Sequence, residues 1–348
     1  MELIRARRLD GQAEHPESAS VVQSARGRFE TATFYAATVA RVLPRAGFSP
    51  KRLRPHHERS VFIVGSPRSG TSFVARSIGS LPGFVDLGEV TPLKASIPAL
   101  TKVPTEEAGR GIRHRLEMVR WLALVPGLRG VEQTPEFAFV LRAAMSAYPN
   151  ALAIHMIRDG RDVACSLLER GWLRKNHAGR DDAHQPYGAY ARFWVEPELA
   201  EAFENVSDAR RSAWAWRRYV TAVRRQRERV VEVRYERLVA DGEGVAREIA
   251  DHLGVPHASL ARAFEAVQGD SVGRFRNELS PEELADVERE AGPLLAELGY
   301  ADDDQGDRVE VRAGAAAQTP KSAHDLPVSR VPLDDFIEDA GPGGPAPF

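Results

Sequence analysis

The sequence predicts an α/β fold of three layers (αβα), with a central parallel sheet and mostly helical insertions. Residues 61–78 and 151–168 each begin as an apolar run, pass through a short polar turn and continue with helical spacing of apolar residues. With 43% hydrophobic content, the 348 residues can form one large core. Strands are expected near residues 60–65, 128–132, 152–157 and 230–234.

Composition divides the chain into three parts. We expect an N-terminal helical extension over 1–57, an α/β body over 58–300 and an acidic, Pro/Gly-rich flexible tail over 301–348. The extension contains an amphipathic pattern around 29–43. Within the body, segment 172–209 is rich in His, Asp, Gly and aromatic residues and is expected to be a loop that contributes to specificity.

The first predicted strand leads into a loop that is typical of phosphate binding. Residues 61–72 read VFIVGSPRSGTS, which is a buried strand, a tight Gly/Ser/Pro loop and the start of a helix. The spacing is close to the nucleotide-triphosphate loop G-x-x-x-x-G-K-[ST], with Gly65 and Gly70 in place. Thr71 occupies the lysine position, however, and Ser72 supplies the hydroxyl.

The cation of this loop lies at Arg68 instead. A guanidinium can donate two parallel hydrogen bonds to an oxyacid anion, while backbone N–H groups at the helix N-terminus bind the rest. A carboxylate partner for Mg²⁺ is not evident in the sequence. The loop is therefore predicted to bind a nucleotide whose reacting end is not a Mg²⁺-bound γ-phosphate.

The loop resembles the 5′-phosphosulfate loop, P-[RK]-S-G-T-[TS], of the sulfotransferases that use 3′-phosphoadenosine 5′-phosphosulfate (PAPS). The matching residues are Pro67, Arg68, Ser69, Gly70, Thr71 and Ser72. Taken alone, these residues could also be a simple helix N-cap after a buried strand. The resemblance implies a P-loop-type fold, PAPS as co-substrate and 3′,5′-bisphosphoadenosine (PAP) as product, without a metal.

A second part of the family pattern follows about ninety residues later. Relatives bind the 3′-phosphate with an Arg at a strand end and a Ser eight residues later, and this chain has Arg158 and Ser166 at that spacing. Ser166 would lie about two turns into the helix, so both side chains can face one phosphate. Arg161 is a further candidate cation, or else a surface charge paired with Asp159 or Asp162.

Two further segments resemble the family downstream. Tyr235 begins a Y-E-x-L motif whose tyrosine lies near the adenine in relatives, although a buried structural tyrosine is the alternative. Residues 273–283 resemble the family segment G-x-W-[KR]-N, with Phe275 in place of the Trp. The basic triplet that precedes this segment in cytosolic relatives is missing, so Arg274 or Arg276 is the candidate substitute at the 3′-phosphate.

The implied reaction needs a base for the acceptor hydroxyl and a cation for the leaving phosphate. Arg68 would supply the cation. Glu89 is the candidate base, because it follows Arg68 by 21 residues, where protein-tyrosine sulfotransferases carry a similar Gly-Glu pair. A helix-capping role for Glu89 is the alternative. The reserve candidates are Asp86, His155, His177 and His184.

One position departs from the family. Many relatives have a Glu-Lys-[ST]-Pro segment whose Lys approaches the reaction centre, but residues 132–135 read EQTP. Gln133 can form hydrogen bonds but brings no charge. Either Arg68 carries the cationic role alone, or Lys94 or Lys102 contributes, or activity is low.

Composition limits the cofactors, the location and the partners that are expected. The single cysteine, Cys165, excludes an intramolecular disulfide and a cysteine-based metal cluster. Apolar runs are too short to span a bilayer and a secretory signal is absent, so a cytoplasmic location is expected, and Ala/Arg richness suggests a bacterial source.

A body charge of about +4 is too weak for nucleic-acid binding. We expect a hydroxyl-bearing small-molecule, carbohydrate or glycolipid acceptor, and a homodimer stays open.

Two other functions stay open at this point. A P-loop kinase would need a lysine in the loop and a carboxylate at a strand end for Mg²⁺, and Thr71 removes the first requirement. A non-catalytic nucleotide-binding protein of the same fold is compatible with Gln133.

Overall fold

A computed structural model of the chain shows one sheet of five parallel strands in the order β2-β3-β1-β4-β5. The strands are β1 (Val61–Gly65), β2 (Phe84–Gly88), β3 (Arg129–Glu132), β4 (Leu152–Ile157) and β5 (Val230–Arg234). The predicted α/β fold with a central parallel sheet is confirmed. The structure describes residues 32, 33, 36, 37 and 40, and the ranges 59–122, 128–175 and 192–300.

Helices surround the sheet. They are α1 (Thr71–Gly79), α2 (Thr91–Leu100), α3 (Thr105–Leu122), α4 (Leu141–Ala147), α5 (Gly160–Arg170), α6 (Ala200–Asn205), α7 (Asp208–Arg224), α8 (Tyr235–Ala240), α9 (Gly242–Leu253), α10 (His257–Phe264), α11 (Phe275–Glu278) and α12 (Pro281–Glu297). Short 3₁₀ helices cover Pro135–Phe139 and Pro197–Leu199. Within the described ranges, helices that combine the length and the apolarity of a membrane span are absent.

The observed strands and helices can be compared with those that the sequence predicts. Four strands lie where the sequence placed them, and the described residues between 32 and 40 are helical. Strand β2 was not predicted. Segment 172–209 contains helix α6 and is not wholly a loop, while residues 176–191 lie outside the described residues, as do the tail and most of 1–57.

Strand β1 is the centre of the core, and all five of its residues are buried. Because successive side chains of a strand point to opposite faces, Phe62 and Val64 pack in one hydrophobic cluster, while Val61 and Ile63 pack in another. The sheet is therefore covered on both sides, as expected of a parallel sheet. The loops that follow the carboxyl ends of the strands can form a site.

The junction of β1 with the following loop is unusually close to β4. A Cβ atom built on Gly65 would lie 2.3 Å from the carbonyl oxygen of Met156. The two strands pair in register up to this point. Only glycine allows the backbones to approach this closely where β1 turns into the loop.

We predict that Gly65→Ala lowers the free energy of unfolding by about 3 kcal/mol or more, since the new methyl group must displace backbone. The matched control is Gly254→Ala, at a positive φ of 67° with open space around the added Cβ. It should cost only about 1–2 kcal/mol. Urea unfolding of both variants measures the difference, and equal losses would contradict the close packing at Gly65.

Candidate functional site

The loop between β1 and α1 lies at the carboxyl end of the central strand. It turns with a hydrogen bond from the Ser69 N–H to the Ser66 carbonyl at 3.2 Å. Arg68 and Gly70 both have positive φ angles, of 71° and 87°. A positive φ is uncommon for a non-glycine residue and is often found at functional sites. Gly70 forms no side-chain cap at the N-terminus of α1, so the first N–H groups of the helix can bind an anion.

The two predicted anion-binding motifs meet in space. The Arg68 Nε donates to the Ser166 hydroxyl at 2.9 Å, and the Arg158 Nη1 donates to the Arg68 carbonyl at 3.3 Å. These residues are 98 and 90 positions apart in the chain, and they come together because β1 and β4 are neighbours in the sheet. The loop and the α5 segment therefore form one continuous site.

Arg158 is held rigidly at the end of β4. Its guanidinium lies 5.1 Å from the centre of the Tyr235 ring and 3.7 Å from the Asp162 carboxylate, and it donates to the Ser271 carbonyl. Its Nε is buried without a hydrogen-bond partner among the described residues, and so is the Ser69 hydroxyl oxygen. Buried polar groups are normally satisfied, so two such donors in one site fit an anionic ligand.

Tyr235 forms one wall of the loop. A Cβ built on Gly70 would lie 2.6 Å from a carbon of the Tyr235 ring, so the ring packs directly on the loop backbone. The Tyr235 hydroxyl donates to the Gln268 carbonyl at 2.6 Å. The position suits a wall of a nucleotide site, and it also anchors the segment around Gln268.

The three remaining basic candidates have partners of their own. Arg274 pairs with Glu278 at 2.6 Å and with Glu169 at 3.2 Å. Arg276 is exposed, with its guanidinium 4.6 Å from the centre of the Phe275 ring. Arg161 is bound to Asp159 at 2.8 Å, as the alternative interpretation held, although the pair is buried and not on the surface. Among the predicted anion-binding side chains, Arg68 instead forms hydrogen bonds with Ser166 and, through its carbonyl, with Arg158.

Asp162 is a structural member of the site that the sequence analysis did not single out. Its carboxylate accepts hydrogen bonds from the backbone N–H groups of Gly273 at 2.7 Å and Phe275 at 3.1 Å. It also lies 3.7 Å from Arg158. Burial raises the pKa of Asp162, and these hydrogen bonds oppose the rise. Asp162 thus fastens the 271–275 segment over the α5 N-terminus.

The candidate base lies at the neighbouring strand ends. Glu89 follows β2 and accepts a hydrogen bond from the Lys94 ammonium at 2.7 Å, and Lys94 is also 3.5 Å from Glu136. Lys94 is buried, whereas Lys102 is exposed. Of the two lysines weighed from the sequence, Lys94 is therefore the one that brings a cation beside Glu89.

Gln133 connects this region to the loop. Its side-chain oxygen accepts a hydrogen bond from the Ser72 hydroxyl at 3.0 Å. The residue that replaces the family lysine thus contacts the first turn of α1 directly. It contributes a hydrogen bond at the place where relatives contribute a charge.

The reserve candidates for the base lie in different environments. Asp86 accepts from the Gly88 N–H at 2.8 Å and shapes the turn after β2. His155 is buried in β4, 3.3 Å from Glu232, and burial lowers its pKa. His177 and His184 lie outside the described residues.

The described part of the chain contains no group of three or more His, Cys, Asp or Glu residues that could hold a metal ion. Cys165 is buried in α5, and burial raises the pKa of its thiol to about 12. A thiol with such a pKa is protonated and unreactive at neutral pH.

Comparison with known proteins supports the family. The model of the sulfotransferase family matches residues 111–259, which include Arg158, Ser166 and Tyr235. The matched segment is less than half of the chain and begins after the 65–72 loop. It confirms the predicted resemblance to sulfotransferases at the level of the family. Curated proteins provide no match.

Several solved structures are similar in fold. Sulfotransferase STF9 from Mycobacterium avium is 13% identical over 78% of this chain and 85% of its own, with a TM-score of 0.44. Mouse sulfotransferase SULT7A1 complexed with PAP is 16% identical over 72% and 89%, with a TM-score of 0.44. A sulfotransferase from Alicyclobacillus acidocaldarius is 18% identical over 70% and 95%, with a TM-score of 0.41. Such TM-scores are too low to transfer a residue's role to this chain.

We predict that Asp162→Asn loosens the 271–275 segment, because an amide cannot accept both backbone hydrogen bonds as a carboxylate does. The free energy of unfolding should fall by about 1–3 kcal/mol, and amide hydrogen exchange in this segment should accelerate. Asp251→Asn, the same chemical change at an exposed position of α9, is the control and should leave exchange in this segment unchanged. Equal exchange in both variants would show that Asp162 does not hold the segment.

Proposed function

We propose that this protein transfers the sulfuryl group of PAPS to a hydroxyl of a small-molecule, carbohydrate or glycolipid acceptor and releases PAP. The observation that carries the proposal is the hydrogen bond between Arg68 and Ser166, at 2.9 Å. This bond joins the loop that resembles the family's 5′-phosphosulfate loop to Ser166. Ser166 and Arg158 are the pair that resembles the family's 3′-phosphate site. PAPS carries both anionic groups on one nucleoside, and an ordinary nucleoside triphosphate does not.

The unpartnered donors support the same ligand. Ser69 Oγ lies in the 5′ loop and Arg158 Nε lies at the 3′ end of the site, and both are buried. Tyr235, which packs on Gly70, is placed between the two motifs and can contact the adenosine. The proposed nucleotide contacts are Pro67, Arg68, Ser69, Gly70, Thr71, Ser72, Arg158, Ser166, Tyr235, Arg274 and Arg276.

The proposed chemistry is an in-line displacement at sulfur. The acceptor oxygen forms a bond to sulfur while the bond from sulfur to the bridging phosphate oxygen breaks, and the acceptor proton passes to the Glu89 carboxylate. Negative charge develops on the bridging oxygen, where Arg68 and the loop N–H groups can stabilise it. The Lys94 ammonium donates a hydrogen bond to this carboxylate at 2.7 Å and can orient it toward the acceptor.

The experiment that tests the function combines nucleotide binding with transfer of labelled sulfate to a panel of a phenol, a monosaccharide and a primary alcohol. We predict that Arg68→Ala weakens PAP binding roughly 10- to 100-fold, the value of one charge-assisted hydrogen bond, and abolishes transfer. The control is Arg247→Ala, an exposed arginine paired with Glu243. Near-normal turnover of Arg68→Ala would contradict the assignment of the loop, and binding without transfer in the unmodified chain would favour a non-catalytic nucleotide-binding protein.

We predict that Glu89→Gln leaves PAP affinity nearly unchanged but lowers the single-turnover transfer rate by about 10²–10⁴, because an amide cannot accept the acceptor's proton. Glu136→Gln is the matched control, since it removes the other carboxylate near Lys94. If both variants lose the same rate, the loss reflects a disturbed Lys94 and Glu89 is not the base.

A further inference from the structure

Glu132 is a deeply buried acidic side chain next to the Gln133 segment of the proposed site. It is the last residue of β3, aligned with Phe62 of β1 on one side and with Gly88 of β2 on the other. Its exposure is 1%. Neither the nucleotide contacts nor the proton transfer proposed above uses it.

The carboxyl group belongs to a chain of hydrogen bonds that leads to Glu89. Its Oε1 accepts from the Thr134 backbone N–H at 2.9 Å, and the Thr134 hydroxyl oxygen accepts from the Val90 N–H at 3.1 Å. Gln133 also donates its N–H to the Gly88 carbonyl at 3.4 Å. The segment that carries Gln133 and the turn that carries Glu89 are thus joined through Glu132 and Thr134.

The second oxygen of the Glu132 carboxyl group lies in a different environment from Oε1. Glu132 Oε2 is buried and has no hydrogen-bond partner among the described residues. An ionised carboxylate with an unpartnered oxygen in such a place is costly, because its charge loses hydration without compensation. A protonated carboxyl, which is neutral, fits the same position at much lower cost.

We propose that Glu132 is a positioning residue that works in its neutral, protonated form and holds the Glu89 turn against the Gln133 segment. The role rests on the proposed function, because Glu89 is the proposed base. A charged Glu132 would add a second anion close to Glu89 and would repel the anionic sulfuryl group.

The surrounding charges are consistent with a neutral Glu132. Burial raises its pKa to about 8, and the nearby Glu89 carboxylate acts in the same direction, against the hydrogen bond from Thr134. From β1 the facing residue is Phe62, which is apolar. The nearby ammonium of Lys94 is paired with Glu89 and Glu136.

Thermal unfolding of the full chain as a function of pH tests the protonation state without any need for activity. Between about pH 4.5 and pH 8 the unfolded chain ionises Glu132 while the folded chain keeps the proton, so ionisation favours the unfolded state and stability falls as pH rises. In Glu132→Gln, the loss of stability with rising pH that comes from ionisation of Glu132 should be absent. The exposed control Glu243→Gln should show the same loss of stability as the unmodified chain. The same pH dependence in all three proteins would overturn the proposal.

Transfer of labelled sulfate from PAPS to the acceptor panel tests the positioning role. Glu132→Gln should keep the rate at neutral pH within about threefold and should lose the alkaline decline near pH 8, whereas Glu132→Ala should lose at least about tenfold at every pH. A loss in Glu132→Gln as large as in Glu89→Gln would overturn the proposal. Failure of the unmodified chain to transfer to any acceptor would overturn the proposed function and the positioning role with it, while the unfolding curves would still decide the protonation state.

Discussion

The pairing of β1 with β4 is the constraint on which the site depends. The two strands run parallel and in register to their carboxyl ends, where Gly65 and Met156 come into close backbone contact. Each strand then continues into a polar turn and a helix. Two loops that are far apart in sequence are therefore forced to share one edge of the sheet, and Arg68 can reach Ser166 across it.

The second pair of strand ends supplies the other half of the site. β2 and β3 lie on the far side of β1 from β4, so Glu89 and Gln133 approach the same loop from the opposite direction. Gln133 contacts Ser72, and Lys94 places a positive charge beside Glu89. We propose that the hydrogen bond of Gln133 and the buried Lys94 ammonium together take the place of the family lysine. A nucleotide bound between the halves would meet cations on one side and the proposed base on the other.

Much of this arrangement could be predicted from the sequence, because local patterns specify it. The strand-loop-helix order around 61–72 and the spacing of Arg158 and Ser166 place both motifs at strand ends, and the structure brings them into contact. Strand β2 was not predicted, and the polar Asp86 interrupts its apolar run. Its absence from the prediction hid the pairing that brings Glu89 and Glu132 close together.

Other features depend on tertiary contacts that no local pattern reports. Asp162 holds backbone more than a hundred residues away, and Arg274 is drawn to Glu169 and Glu278. The neutral state proposed for Glu132 follows from burial between β1 and β2, which its place in an EQTP sequence does not reveal. The protonation state of a side chain and its pairing depend on how the sheet packs. A sequence motif specifies only the types of residue.

Calorimetric titration of the unmodified chain with PAP, and separately with adenosine 5′-monophosphate, tests the central claim that both anion motifs bind one nucleotide. Both titrations are made without Mg²⁺. We expect one PAP per chain, bound roughly 10- to 100-fold more tightly than the monophosphate, because Arg158 and Ser166 would contact only the 3′-phosphate. Equal affinities for the two nucleotides, or binding that requires Mg²⁺, would contradict the account.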